Sequence, residues 1–308
     1  MLAPAVRRIH RSALDAPAPS RDLAVRLARL ATEALIEEAH VTPKPALVDR
    51  RGSGAHRDLS LGLMERSAHA LEPTFEALAH ASRGKRPSAA LRAELGAIGR
   101  DGEADMMKAT QGSNAHRGAI WIIGLLVAGA TIYSETAAPR IDAAKAICTI
   151  GAQIACFPDH GSPVTDSNGA RVRARYGVGG ARLEAQEGFP HALRVGLPAL
   201  RAARRRGVEE NAARIDALLA IMATLDDTCL LHRGGPPALT AAQQGARRVL
   251  SLGGSSAPSG RAAFDRLETR LLALNASPGG AADLLAATLF IDRLALAGAD
   301  GRLQAWSI

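Results

Sequence analysis

The sequence predicts an all-α fold, a single compact multi-helix domain, and three observations predict it. From Arg21 onward the chain is rich in Ala, Leu and Arg, with apolar residues at three- and four-residue spacing, as in "RDLAVRLARLATEALIEEAH". Period-two runs of Val, Ile and Thr are scarce. Gly and Pro fall mostly between the periodic stretches, at 43–45, 52–54, 84–87, 161–163, 177–180, 234–237, 253–260 and 278–280, which predicts about ten helices. No composition shift marks a boundary, so residues 21–308 are expected to form one domain. The first 20 residues, "MLAPAVRRIHRSALDAPAPS", carry Asp15, lack a long apolar segment and end in an Ala/Pro/Ser run; they read as a loose extension.

A chain of 308 residues is long enough to bury a substantial core. Hydrophobic residues make up 47% of it, but the longest apolar run, Ala119 to Tyr133, falls short of the roughly 20 residues of a membrane span and reads as a buried helix. Cys148, Cys156 and Cys229 have no CxxC spacing, which argues against a disulfide framework or zinc site and fits a reducing cytoplasm. Lys and Arg number 38 against 30 acidic residues, net +8, and only Lys44, Lys85, Lys108 and Lys145 are lysines. Arginine forks match phosphate, so the excess fits a polyanionic ligand as well as it fits a compositional habit. With aromatics at 3% there are few platforms for stacking bases, so a small phosphorylated ligand is expected rather than nucleic acid.

Taken in chain order, the stretches between helices carry the chemistry. "TPKPALVDRRGSGAHRD" gathers Lys44, Asp49, Arg50, Arg51, His56, Arg57 and Asp58 in a loop stiffened by two prolines and loosened by glycines. It reads either as a solvated loop or as a place where phosphate, metal and base meet. "TQGSNAHRGAIW" sets a glycine turn, a capping Ser113 or Asn114, and His116 and Arg117 at the start of the apolar helix, whose free N–H groups suit an anion. An ordinary capped helix is the other reading. "GSGAHR" at 52–57 and "GSNAHR" at 112–117 agree at five of six positions, each expected to lead from a glycine turn into a helix.

Farther on, "RYGVGGARLEAQEGFP" places glycines before Arg182, Glu184 and Glu187, a loop able to fit around a ligand. "RGVEENAARIDALLAIMATLDDTCLLHRGG" predicts one continuous helix with a terminal glycine cap, and sets Asp226 beside the apolar face of Leu218, Leu219, Met222, Leu225 and Cys229. A carboxylate there must be paired with an arginine or, with Asp227, hold Mg2+. "SLGGSSAPSG" reads as a loop over a site. In "NASPGGAADLLA", Ser277 is the expected cap and Pro278 the first turn, while Gly279 and Gly280 suggest close approach of a backbone or ligand near Asn275 and Asp283.

Five motifs in this order, "TPKPALVDRRGSGAHRD", "TQGSNAHRGAIW", "RYGVGGARLEAQEGFP", "DDTCLLHRGG" and "NASPGGAADLLA", within a match from about Glu33 to Ile291, resemble the triphosphoribosyl-dephospho-coenzyme A synthase family, which prepares the prosthetic group of malonate decarboxylase and citrate lyase. The family pattern usually has glycine at Ala46, asparagine at Gly52 and Ser53, and threonine and lysine at Ala115 and Arg117. The resemblance implies a pentosyl transfer: the 2'-hydroxyl of 3'-dephospho-coenzyme A attacks the anomeric carbon of ATP and adenine leaves. Such a reaction needs a base, support for a cationic transition state and clamps on two polyphosphates.

On that resemblance Lys44, Arg50, Arg51, His56, Asn114, His116, Arg117, Arg182, Arg233, Gly279 and Gly280 are expected to bind substrate, mainly its phosphates. Glu184, Asp49 and Asp58 are the candidate catalytic carboxylates, Glu184 first because it follows the glycine loop. Asp226 and Asp227 are the candidates for Mg2+. Malonate decarboxylase is the favoured pathway because members from that system resemble this Ala/Arg-rich type, and a holo-acyl-carrier-protein synthase would take the product. A Mg2+-dependent hydrolase of ribosyl bonds and, less so, a helical nucleic-acid module remain the alternatives.

Overall fold

A computed structural model describes residues 18–136, 142–159 and 167–299, and their architecture is all-α. Thirteen α-helices and one π-helical turn occupy the described residues, more than the expected ten in part because the turns at Leu71 and at 223–227 contain neither Gly nor Pro. The 1–17 part of the expected N-terminal extension and the 161–163 break lie outside those residues, and helix α1 begins at Ala18, ahead of Arg21.

Helix α1 (Ala18–His40) buries Leu27, Ala28, Ala31, Ala34 and Leu35, the three- and four-residue spacing of one face. Helices α2 (Leu61–Ala70), α3 (Glu72–Ser82) and α4 (Ala89–Ala109) follow, with Ser60 and Ser88 accepting N–H groups at the starts of α2 and α4. Helix α5 (Arg117–Ser134) is the apolar run, buried on nearly every side among α1, α3, α4, α6 (Ala143–Cys156) and α13 (Gly279–Ala299). It is long and apolar enough to cross a membrane, but 78% of it is buried inside the protein, as expected of a core helix. A Cβ on Gly129 would come within 2.5 Å of the Ile147 carbonyl oxygen, so the missing side chain is what lets α5 and α6 cross so closely.

Helices α7 (Asn168–Tyr176) and α8 (Gly180–Gln186) lead to the π-helical turn His191–Gly196 and α9 (Leu197–Arg205). The predicted continuous helix over the following stretch is two. Helix α10 (Glu210–Met222) stops, and α11 (Thr228–Ser251) restarts because the Asp227 side chain accepts the Cys229 N–H at 2.7 Å and so replaces the missing helical bonds. Gly235, at φ 64°, then kinks α11 ahead of Pro236 and Pro237. Helix α12 (Pro258–Ala273) folds back on α11.

The turn "SLGGSSAPSG" is pinned rather than poised over a site: the Ser255 N–H donates to Asp216 at 2.7 Å, and the turn does not line the cavity described below. Many arginines serve the scaffold. Arg293 joins α13 to Glu33 and Glu37 of α1, and Arg204 joins Asp292 of α13 to Glu210 of α10.

Candidate active site

A cavity of about 1080 Å³ opens between the N-terminal ends of α5, α11 and α13, the loop after α1, and α4, α7 and α8. Of the residues singled out in the sequence, Lys44, His56, Asp58, Asn114, His116, Arg117, Arg182, Glu184, Asp226, Asp227, Arg233, Gly279 and Gly280 line it. Asp49, Arg50 and Arg51 do not. The buried Asp49 carboxylate accepts the Lys44 and Arg51 N–H groups at 2.8 and 2.7 Å and pairs with the Arg51 guanidinium, whose other edge grips Glu268 of α12. That chain fastens the loop to the scaffold and leaves neither residue a hand for substrate. Arg50 is exposed and reaches His40 at 3.1 Å.

The loop is shaped by backbone as much as by charge. Ala46 sits at φ 57°, the left-handed region, at the position where the resembled family has glycine. Its carbonyl accepts the Ala55 N–H at 2.9 Å, which closes the loop. The loop carries Lys44 inward, 1% exposed, where its Nζ donates to Glu38 Oε1 at 2.6 Å and to the Glu38 carbonyl at 2.8 Å. Lys44 is thus a buried half of an ion pair.

His56 and His116 differ from their expected setting. His56 lies in a bend that precedes α2 by several residues, so the first of the two echoing hexapeptides does not run straight into a helix. Arg233 donates to His56 Nδ1 at 3.1 Å, and because arginine cannot accept, the imidazole proton sits on Nε2, 2.8 Å from Ser277 Oγ. Ser277, the expected cap of α13, is spent on this contact. Burial, then Arg233 and Lys44, push His56 down to about 4.

His116 is the residue immediately before α5 and shares a 2.6 Å hydrogen bond with Ser67 through Nδ1, while its buried Nε2 has no partner among the described residues. Burial and Lys44 push it down to about 3, so it is neutral. Asn114 Oδ1 accepts the first N–H of α5 at 3.2 Å, and Arg117 pairs with Glu103. The second hexapeptide meets the residue that follows the first: Ser113 Oγ donates to the Asp58 carbonyl at 2.9 Å.

The two aspartates exchange the roles that periodicity implied. Asp226 is exposed, in the turn rather than on a helix face, while Asp227 is 2% exposed. Asp227 caps two helices at once, accepting the Cys229 N–H of α11 on Oδ1 and the Ala281 N–H of α13 on Oδ2, the latter at 2.9 Å. Burial pushes its carboxyl up, and these N–H groups hold it down. A Cβ on Gly280 would lie 3.0 Å from Asp227 Oδ1 and one on Gly279 3.0 Å from Cys229 Sγ, so the paired glycines admit these side chains. With both Asp227 oxygens committed, the pair offers one free carboxylate. Among the described residues no group of three His, Cys, Asp or Glu is placed to hold a metal ion. Asp227 is therefore not free to join Asp226 around Mg2+ in the way the sequence suggested.

Glu184 is buried in α8, and its oxygens accept the His191 N–H at 2.8 Å and the His191 Nδ1–H at 2.7 Å. That contact raises the His191 pKa.

The cavity also holds a group of arginines of which the sequence singled out only Arg182. Arg92 and Arg100, two turns apart on α4, share Asp159 at 3.2 and 2.9 Å, and Arg92 stacks on Trp121 with 4.6 Å to the ring centroid. A Cβ on Gly96 would meet Asp159 at 2.3 Å, so Arg92-x3-Gly96-x3-Arg100 was the legible signal, a glycine notch between two cations on one helical stripe. Arg173 and Arg182 face the same space with no carboxylate partner among the described residues. Asp283 and Glu38, both in the wall, also escaped singling out as site residues.

Comparison with known proteins accords with this chemistry. A family profile described as "ATP:dephospho-CoA triphosphoribosyl transferase" matches residues 24–300. A relative from Pseudomonas paraeruginosa, named "Probable 2-(5''-triphosphoribosyl)-3'-dephosphocoenzyme-A synthase", is 55% identical over 291 residues, 94% of this chain and 98% of its own. One from Azotobacter vinelandii with the same name is 54% identical, covering 92% of this chain and 96% of its own. The "2-(5''-triphosphoribosyl)-3'-dephosphocoenzyme-A synthase" of Klebsiella pneumoniae is 53% identical over 87% of this chain and 94% of its own. No solved structure matches. A profile match that spans nearly all the described residues, with relatives this similar over nearly their full length, shows that the chain is a transferase and belongs to the ATP:dephospho-CoA triphosphoribosyl transferase family.

Proposed function

We propose that the chain transfers the triphosphoribosyl group of ATP to the 2'-hydroxyl of 3'-dephospho-coenzyme A and releases adenine. The observation that carries this reading is a single cavity of about 1080 Å³, at the upper end of the ~300–1,000 Å³ of small-molecule sites, with uncommitted arginines on one wall and neutral or paired polar groups on the other. It has room for two nucleotide-sized ligands side by side. Arg173, Arg182, Arg233 and Arg117 take the polyphosphates, with Arg92 and Arg100 adding field from their Asp159 bridge. Asn114 and the start of α5 supply hydrogen bonds to the same chains.

Glu184 keeps the role of base for the attacking hydroxyl in this reading, oriented by His191. Asp58, exposed and close to His56, is the second carboxylate within reach of substrate. Mg2+ enters as part of the nucleotide substrate, with Asp226 the one carboxylate of its pair free to meet it. A holo-acyl-carrier-protein synthase takes the product, and malonate decarboxylase is the favoured destination.

The test is adenine release from ATP and Mg2+, with and without 3'-dephospho-coenzyme A, while mass spectrometry follows the joined product. Acceptor-dependent release with the adduct is expected; release that ignores the acceptor would make the chain a hydrolase. Offering the product and a downstream synthase to the apo-carriers of malonate decarboxylase and citrate lyase in turn decides the pathway. Glu184→Gln with intact folding and full turnover removes Glu184 as base.

A further inference from the structure

Departing adenine carries the electron pair of the broken bond and leaves readily only if it is protonated, and none of the roles above supplies that proton. Asp283, in the second turn of α13, lines the cavity and packs on the first turn of α5: a Cβ on Gly118 would lie 2.0 Å from its Oδ2, and the Ala119 N–H faces it. Unlike every other enclosed carboxylate of the wall it has no cationic partner, no histidine and no pair of helix caps among the described residues. Its carboxylate neighbours are Glu38, which accepts from the Lys44 ammonium, and Asp227, which accepts helix N–H groups. A third carboxyl beside two others, with no cation of its own among the described residues, is favoured in its protonated form. Burial first, then Glu38 and Asp227, push Asp283 well above the usual carboxylate range. Two residues before Gly118, the buried Nε2 of His116 has no partner among the described residues and is left to meet a polar ligand in the same corner.

We propose that Asp283 is the proton donor to the departing adenine, an assignment that rests on the transfer reading. The C1'–N9 bond breaks with its electron pair passing into the purine while the acceptor oxygen bonds to C1'. The Asp283 proton goes to purine N7 and the hydroxyl proton to Glu184, so adenine leaves neutral. Transfer of that proton back to Asp283 through solvent resets the site, and no proton is gained or lost overall.

The experiment compares ATP with N7-methyl-ATP, whose base already carries the positive charge and leaves as neutral 7-methyladenine. Asp283→Asn keeps an oxygen for the Ala119 N–H and is expected to lower kcat with ATP by about 10²–10⁴ while leaving kcat with N7-methyl-ATP near wild type. Equal losses on both nucleotides, or no loss on either, would overturn the assignment. The wild-type chain gives an independent reading should the variant fold poorly: kcat with ATP falls toward high pH as Asp283, facing Glu38, Asp227 and Cys229, loses its proton, and kcat with the methylated nucleotide lacks that fall. The same alkaline fall with both would also overturn it. Wild type that releases no adenine in the presence of acceptor sinks the transfer reading itself, whereas normal release with an unaffected Asp283→Asn sinks only Asp283.

Discussion

The two walls of the cavity handle charge in opposite ways. On the wall formed by the loop after α1 and the starts of α5, α11 and α13, nearly every ionisable group is already answered inside the protein: Lys44 by Glu38, Asp227 by two helix starts, His56 and His116 by burial as neutral rings. On the wall formed by α4, α7 and α8, Arg173 and Arg182 have no carboxylate among the described residues, and Arg92 and Arg100 share one. The difference teaches that charge at a cavity is not the same as charge available to a ligand. Removing a residue from the first wall should cost folding, and from the second, affinity.

The sharpest break would come at Lys44. Lys44→Met strands Glu38 as a buried unpaired carboxylate and is expected to cost about 3–5 kcal/mol in urea unfolding, with the double change Glu38→Leu, Lys44→Met recovering most of it. A Lys44→Met chain of normal stability with a raised KM for ATP would instead move Lys44 to the phosphate-binding wall. Next in size, Asp227→Ala removes caps from α11 and α13 together and should cost about 2–4 kcal/mol, twice the usual ~1–2 for one cap. If Asp227 held Mg2+, the ligand-free wild-type chain would melt higher with Mg2+ added; no shift is expected.

For the opposite wall, Arg182→Ala and Arg173→Ala should each lower kcat/KM for at least one substrate by roughly 10- to 100-fold, the ~1.5–3 kcal/mol of a hydrogen bond to a charged group. Urea midpoints should stay near wild type. A loss of stability without loss of affinity would erase the contrast between the walls. Ala46→Gly relieves a left-handed alanine on the Lys44 loop and is expected to stabilise by about 1 kcal/mol, read as a rise in Tm.

The smallest effect concerns Glu184 and His191. The Glu184 contact raises the folded pKa of His191 above its unfolded value near 6.5, so this stabilisation is whole below pH 6.5 and is lost as pH rises through the folded value. With 22% of the His191 side chain still exposed it amounts to less than about 1 kcal/mol. A Tm-against-pH curve for Glu184→Gln should lack that decline; an unchanged curve would detach the two residues.

Helical content and the burial of α5 were legible because they are local: three- and four-residue periodicity and an apolar composition act within one segment. Five loop-to-helix motifs likewise pointed to most of the cavity wall. The α10–α11 break was not legible, since apolar spacing continues through Leu225 and only the Asp227 cap ends one helix and starts the next. Arg51 in a dense basic loop looked like a phosphate ligand until Glu268, 217 residues away, proved to be its partner.

By itself, then, the sequence determined the all-α class, the family and the stretches of chain that meet at the cavity, because period, composition and collinear motifs are properties of neighbours along the chain. Which charges are spent and which are free was decided by the tertiary structure alone. Glu38 with Lys44, Asp227 with α13, and Asp283 with no counter-charge among the described residues depend on which helix faces which. Desolvation then makes each such encounter decisive, because a charge without a partner is tolerated in water and not in a closed wall.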